Sequence, residues 1–125
     1  MTVFEVADRL IALCGERKFL ETGEELWADD VVSIEPMERE MARLEGREAV
    51  RAKGEWWVGA HEIHGCIMGE PYFNGNSFLV RFALDVTDRA SGARRTLDEF
   101  GLYRVEAGKI VEETFFVPQA YFQRQ

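Results

Sequence analysis

At 125 residues, with 46% hydrophobic and 30% charged residues, the chain has the size and composition of one folded domain, and we predict a single domain over 1–125. This composition excludes a disordered or low-complexity chain. The 15 Lys and Arg residues against 23 Asp and Glu give a net charge of −8 at pH 7. Such a molecule repels phosphate backbones and anionic lipid, so we expect no nucleic-acid and no membrane partner.

The N-terminus lacks the features of a secretory signal, because Glu5 and Asp8 interrupt the apolar core that such a signal requires. No apolar run approaches the roughly 20 residues needed to cross a bilayer. Cys14 and Cys66 stand among apolar neighbours without the spacing of metal ligands, which indicates reduced, buried thiols. We therefore expect a soluble, cytoplasmic protein.

Three stretches have the periodicity of amphipathic helices. Apolar residues three and four positions apart predict a first helix from Val3 to Cys14 and a second from about Lys18 to Trp27. A third helix is predicted to begin after Gly46 and to run to about Ala60.

The rest of the chain has the alternation of β-strands. Residues 31–35 form a short predicted strand that Pro36 terminates. Turn signals at 74–76, 88–92 and 106–109 divide the region after His61 into antiparallel strands, predicted over 62–73, 77–87, 94–105 and 110–117. The predicted fold class is α+β, with N-terminal helices packed on a curved antiparallel sheet.

The predicted strand over 77–87 has two partly apolar faces. Phe78, Val80 and Phe82 occupy one face, whereas Leu79 and Ala83 share the other face with charged residues. Helices packed on one face and a second copy packed on the other would satisfy this pattern. We therefore expect a homodimer that associates through the sheet.

Three short motifs carry a resemblance to a known family. Residues 26–32 read LWADDVV, residues 44–50 read LEGREAV, and residues 102–112 read LYRVEAGKIVE. In order and spacing they resemble the SnoaL-like family of the nuclear transport factor 2-like superfamily. The resemblance implies a cone of helices and sheet around one pocket. It leaves function open, because this fold hosts isomerases, dehydratases, cyclases, epoxide hydrolases and binding modules.

Glu35 is the first candidate catalytic residue. It follows an Ala-Asp-Asp segment and precedes Pro36, which is similar to the position of the general-base aspartate in ketosteroid isomerases. A carboxylate in an apolar pocket suits proton abstraction next to a carbonyl. The alternative is that Glu35 caps the following loop.

The same resemblance identifies two partners that this chain lacks. The helical tyrosine that helps to hold the oxyanion in ketosteroid isomerases falls near Leu10, which cannot donate a hydrogen bond. The acidic residue that family members place on the penultimate strand falls near Gly101. A standard steroid isomerase or polyketide cyclase mechanism is therefore not expected.

Glu99 and Tyr103 offer a second set of polar groups. They share strand parity, so if Tyr103 faces the pocket then Glu99 does too, whereas Asp98 faces away. Two carboxylates with separated pKa values can act as acid and base. Arg81 or Asp85 would complete a carboxylate-arginine-carboxylate set like that of related epoxide hydrolases. The alternative for each is a surface charge on an open sheet.

The two histidines are His61 and His64. Residues three apart on a strand point to opposite faces, so the pair does not predict a metal site. His64 remains a candidate for proton transfer, because an unperturbed histidine titrates near neutrality.

Aromatic residues are abundant, and most must belong to the core. We predict that Trp57, Phe82, Phe100 and Phe116 line the ligand pocket, because such pockets are mostly apolar.

Two functional hypotheses follow. The first is an enzyme that needs no metal or other cofactor and performs acid-base chemistry on a small apolar molecule, as an isomerase, dehydratase or cyclase. In it Glu35 is the base, and His64, Glu99 and Tyr103 are candidates for acid, orienter or hydrogen-bond donor. The second is a non-catalytic module that binds a small molecule or dimerises on the same fold.

Overall fold

The computed structural model describes residues 1–36 and 42–122. Helices pack on one face of a seven-stranded sheet. The helices are α1 (Val3–Gly15), α2 (Phe19–Leu26), α3 (Arg47–Ala60) and α4 (Gln119–Phe122). The strands are β1 (Trp27–Ile34), β2 (Arg43–Glu45), β3 (His61–Met68), β4 (Tyr72–Asn74), β5 (Ser77–Asp88), β6 (Arg94–Glu106) and β7 (Lys109–Phe116).

Helices α1 and α3 occupy the predicted positions. Thr2 starts α1 with a capping box: its hydroxyl accepts from the backbone N–H of Glu5, and the Glu5 carboxylate accepts from the backbone N–H of Thr2. The apolar stripe of α1, including Val6 and Leu10, is buried in the core. The first and third helical predictions are confirmed.

The second helical prediction is wrong at its C-terminal end. Helix α2 stops at Leu26, and Trp27 is the first residue of β1, which begins four residues earlier than predicted. Trp27 pairs with Ile110 of β7, and its indole ring lies directly against Gly23, where any side chain would collide with it. Strand pairing and this close packing override the helical periodicity of the segment.

The strand order is β2-β1-β7-β6-β5-β3, with β4 paired to β5. The sheet is antiparallel apart from the β1–β7 pair, which is parallel and was not predicted. Strand β2 was also not predicted. The predicted strand over 62–73 is divided into β3 and β4 at the Gly69-Glu70-Pro71 segment, because proline cannot donate to a ladder.

The two faces of the sheet differ as the alternation predicts. The inner face, which the helices cover, buries alternate β5 residues such as Phe78, Val80 and Phe82 at 5% exposure or less. The outer face carries exposed apolar residues, among them Leu102. Two irregularities shift the register of the antiparallel pairs, one at Ile63/Gly65 and one at Arg104/Val105, and a third shifts the parallel β1–β7 pair between Trp27 and Val32. The second places both Ile110 and Glu113 on the inner face.

Both cysteines are unpaired, with Cys14 buried and Cys66 half-buried. Burial raises the pKa of the Cys14 thiol to about 12 and that of Cys66 to about 11, so both thiols stay protonated at neutral pH. In the described part of the chain, every helix is too short or too polar to span a bilayer.

Candidate functional site

A group of polar side chains lies on the inner face, where β1, α3, β6 and β7 meet. We name it the carboxylate cluster and define it by its members, Glu35, Lys53, Glu99, Tyr103 and Glu113. They come from four elements or their ends, with Glu99 and Tyr103 both on β6, so the tertiary fold brings them together.

Glu113 forms the deep end of the carboxylate cluster. It is 5% exposed, and both carboxylate oxygens accept hydrogen bonds: Oε1 from the Trp27 indole at 2.9 Å and Oε2 from the Ser33 hydroxyl at 2.8 Å. Burial raises the pKa of Glu113, while Ser33, Lys53 and Trp27 act in the opposite direction. A buried carboxylate held by two donors is fixed in one orientation.

Lys53 reaches down from α3 to the middle of the cluster. Its ammonium donates to Ser33 Oγ at 2.6 Å and to Glu35 Oε1 at 2.8 Å, and it lies 5.8 Å from the centre of the Phe115 ring. Its side chain is 15% exposed. An ammonium has three donors, and these two contacts leave one N–H for a bound molecule.

Glu99 has a pKa that is raised into the neutral range. Burial, together with the nearby carboxylates of Glu35 and Glu113, raises its pKa to about 7, and the Lys53 ammonium opposes that rise. A carboxyl group that is close to half-protonated at neutral pH can both accept and donate a proton.

Tyr103 packs between rings on the floor of the cluster. It is 3% exposed, stacks on Phe78 with ring centres 5.0 Å apart, and meets Phe115 edge-on at 6.3 Å. Burial raises the pKa of its hydroxyl well above the usual value, so the group stays a hydrogen-bond donor. A side chain at Gly101 would collide with it, because a Cβ there would lie 2.9 Å from the Tyr103 hydroxyl oxygen.

The structure therefore brings Glu35, Glu99 and Tyr103 together, and the strand-parity prediction for Glu99 is confirmed. Asp98 points to the outer face, where its carboxylate pairs with Arg81 at 2.8 Å. Arg81 and Asp85 are thus absent from the cluster, since Asp85 pairs with Arg94 on the same outer face.

The histidines lie elsewhere. His64 falls at the β3 irregularity, and its Nε2 lies 2.7 Å from the hydroxyl of Thr87, on the outer face. His64 therefore does not join Glu35, and its predicted place in the pocket is wrong. His61 Nδ1 lies 2.8 Å from the Trp57 carbonyl oxygen, so the two imidazoles have separate partners.

The four predicted pocket aromatics are divided between the faces. Phe82 faces inward and is 5% exposed, and Trp57 stacks on His61 with ring centres 4.3 Å apart. Phe100 and Phe116 pair with each other across β6 and β7 and are 41% and 48% exposed. They lie on the outer face, so for them the predicted pocket position is wrong.

Sequence reasoning missed two members, Lys53 and Glu113. Lys53 lies on the apolar stripe of α3, between Val50 and Trp57. A cation within an apolar stripe is the sequence feature that could have identified it as a site residue. Glu113 gave no signal in the sequence. Simple alternation predicts that Glu113 and Ile110 point to opposite faces of the sheet, but the register shift in the β6–β7 hairpin places both on the inner face.

Two surface hollows outlined by described residues, of about 370 and 620 Å³, lie away from the carboxylate cluster. A ligand pocket at the cluster itself stays a prediction.

Comparison with known proteins places the chain in a family. A family model described as "SnoaL-like domain" matches residues 1–117. The chain belongs to this SnoaL-like family. No curated protein matches it.

Solved structures agree with this assignment. A Mesorhizobium loti protein, provisionally named a SnoaL-like polyketide cyclase [carbohydrate phosphatase], is 45% identical to this chain. The alignment covers 93% of this chain and 99% of the Mesorhizobium loti chain, with a TM-score of 0.87. A Burkholderia pseudomallei NTF2-like protein of unknown function is 20% identical over 98% of this chain and 95% of its own, with a TM-score of 0.79. A Bacillus subtilis protein provisionally named an isomerase is 18% identical over 99% and 94%, with a TM-score of 0.75. The last two likenesses concern the fold alone.

Proposed function

We propose that this SnoaL-like protein is a cofactor-independent acid-base enzyme, of the isomerase, dehydratase or cyclase type, acting on a small, apolar, carbonyl-bearing molecule. The observation that carries the proposal is the meeting of Glu35 and Glu99 beside Lys53 on the inner face, with the pKa of Glu99 raised to about 7. The provisional name of the Mesorhizobium loti relative, a polyketide cyclase, agrees with a carbonyl-bearing substrate.

In the proposed mechanism the carboxylates of Glu35 and Glu99 divide the proton transfers. Glu35 takes a proton from the carbon next to the carbonyl group, and the protonated form of Glu99 returns a proton at another position. Separate acid and base groups on one face allow a proton to be moved without any other reagent.

Lys53 and Tyr103 supply the hydrogen-bond donors in this mechanism. The negative charge that develops on the carbonyl oxygen needs donors that are already in place. In this proposal the donors are the remaining N–H of Lys53 and the hydroxyl of Tyr103. They take the role of the helical tyrosine of ketosteroid isomerases, whose position is occupied by Leu10 in this chain.

The test is deuterium incorporation next to the carbonyl of a panel of cyclic ketones in D2O, followed by mass spectrometry. We expect Glu35→Gln and Glu99→Gln to reduce exchange by about 10²-fold or more, the usual scale of acid-base catalysis. Asp98→Asn is the matched control, because Asp98 neighbours Glu99 but points to the outer face. Full exchange in both cluster variants, with an unchanged pH profile, would refute the mechanism.

The second candidate function is a binding module. It is favoured by Leu10, which is 2% exposed within the core, and by the saturated hydrogen bonding of Glu113, both of which suit a structural role for part of the cluster. A thermal-shift screen separates the two functions. Stabilising ligands that undergo no exchange or conversion would favour binding alone.

We also propose that two copies associate through the outer face. This face exposes a set of large apolar side chains, with exposed fractions from 38% to 75%, at Ile67, Phe100, Leu102 and Phe116. Phe116→Glu is expected to convert a dimer to a monomer in light scattering. Trp56→Glu, a change at an exposed aromatic residue of α3, is the control and should leave the dimer intact. A wild-type protein that stays monomeric at high concentration would exclude the association.

A further inference from the structure

A surface cleft differs from the carboxylate cluster in its charge, because most of its polar groups are basic. It has a volume of about 370 Å³ and lies between the start of α2, the end of α3, the start of β3 and the β5–β6 turn. Arg17, His61 and Arg89 are its basic residues, and Glu21 is its acidic one. The volume falls within the range of pockets for small molecules.

The two arginines of the cleft are unusual in this chain. Ten of the 12 arginines lie in the described residues 1–36 and 42–122, and seven of these ten form ion pairs with carboxylates. The three that form none in that part of the chain are Arg17, Arg89 and Arg95. Two of these three line the same cleft, on a protein whose net charge is −8.

Arg17 is held in place through its guanidinium, and Arg89 through its backbone. Arg17 has φ 63°, a left-handed conformation that glycine usually occupies after a helix, and its Nη1 donates to the carbonyls of Ile63 and His64 at 3.3 and 3.2 Å. The backbone N–H of Arg89 donates to the carbonyl of Ala60 at 3.0 Å. A guanidinium has five N–H donors, so these contacts leave most of them available.

His61 adds a buried polar group to the cleft wall. It is 8% exposed, and its Nδ1 lies 2.8 Å from the Trp57 carbonyl oxygen. A carbonyl oxygen only accepts, so Nδ1 carries the hydrogen; Nε2 is an acceptor in the neutral ring and can donate to a carboxylate only when the ring is protonated. Nε2 has no hydrogen-bond partner among the described residues.

Apolar side chains form the remainder of the wall: Phe19, Leu20, Val58 and Ile63. Guanidinium groups bind carboxylates with strong, charge-assisted hydrogen bonds, and an apolar wall adds surface for a hydrocarbon body. From this combination we propose that the cleft binds a small organic acid, with its carboxylate between Arg17 and Arg89 and its apolar body against α2 and α3. This site is independent of the acid-base function proposed above.

The test compares phenylacetate with its neutral counterpart phenylacetamide, by calorimetry and by backbone amide shifts of the whole chain. Phenylacetate is expected to bind at least about fivefold more tightly than the amide, and Arg89→Gln to remove that preference. The matched control is Arg95→Gln, which removes an arginine that likewise forms no ion pair with the described residues but does not line the cleft, and it should leave affinity within about twofold. Shifts are expected at residues 17–21, 58–63 and 88–90.

Several results would overturn the site. Equal affinity for acid and amide would show that the carboxylate is not recognised, and an equal loss in Arg95→Gln would show that general surface charge accounts for binding. No binding of either probe at millimolar concentration, or amide shifts confined to other residues, would also rule it out. Inorganic phosphate binding with the same dependence on Arg89 but no phenylacetate binding would replace the organic acid with a phosphate as the ligand.

Discussion

Replacing Glu99 with Gln should make the protein more stable at neutral pH. The pKa of Glu99 rises from 4.5 to about 7 in the folded state, so the folded protein binds this proton more tightly than the unfolded chain. The stabilising contribution is complete below about pH 4.5 and is lost as the pH rises through about 7. At about 1.4 kcal/mol for each pKa unit, this corresponds to about 3 kcal/mol.

The measurement is urea unfolding of wild type and Glu99→Gln at a series of pH values between 4.5 and 8. The difference in free energy of unfolding between the two should grow with pH, in favour of the variant, and level off above about pH 7. Asp98→Asn is again the control: Arg81 holds the pKa of Asp98 below its usual value, so its contribution changes only in more acidic solution. A wild type and Glu99→Gln variant with parallel pH profiles would refute the assignment of Glu99 as the neutral-range group.

Three further predictions concern the cluster and its supports. Lys53→Met removes the cation that opposes the shift at Glu99, so the pKa of Glu99 should rise above about 7 in a carbon-13 carboxyl titration, whereas Lys53→Arg should leave it nearly unchanged. Gly101→Ala places a Cβ 2.7 Å from Tyr103 Cε2 and should cost about 1–3 kcal/mol in urea unfolding while shifting the ring signals of Tyr103; unchanged signals would contradict the packing. Thr2→Ala removes the cap of α1 and should lower the unfolding free energy by about 1 kcal/mol, with a loss near zero arguing against the cap.

The sequence predicts those parts of the fold where local pattern and tertiary packing agree. Helices α1 and α3 and strands β5 and β6 follow their periodicity, since the residues that form the pattern are buried or, for most of the α3 stripe, half-buried. Trp27 was predicted to be helical but lies in a strand. Its strand partner is on β7, far away in the sequence, and local periodicity carries no information about such a distant partner.

The members of the candidate site were predictable from the sequence only where the strand ladder is regular. Glu99 and Tyr103 follow from strand parity, which holds where the ladder is regular. His64 and Glu113 both lie beside register shifts, where an extra residue reverses the side to which the chain points. Phe116 was misplaced for another reason: an aromatic side chain fits a pocket and an association surface equally well, and only the register decides.

The bonds from Glu113 to Trp27 and Ser33 span 86 and 80 residues of the chain. During synthesis, strand β1 and helices α1, α2 and α3 leave the ribosome long before β7, which carries the acceptor Glu113. The last strand must close this long loop before Ser33 can orient Lys53, and such closures are typically slow steps of folding. A nascent chain that ends before residue 109 therefore contains Glu35, Lys53 and Glu99 but lacks Glu113, the acceptor for Ser33 and Trp27, so the deep end of the carboxylate cluster forms only when the final strand docks.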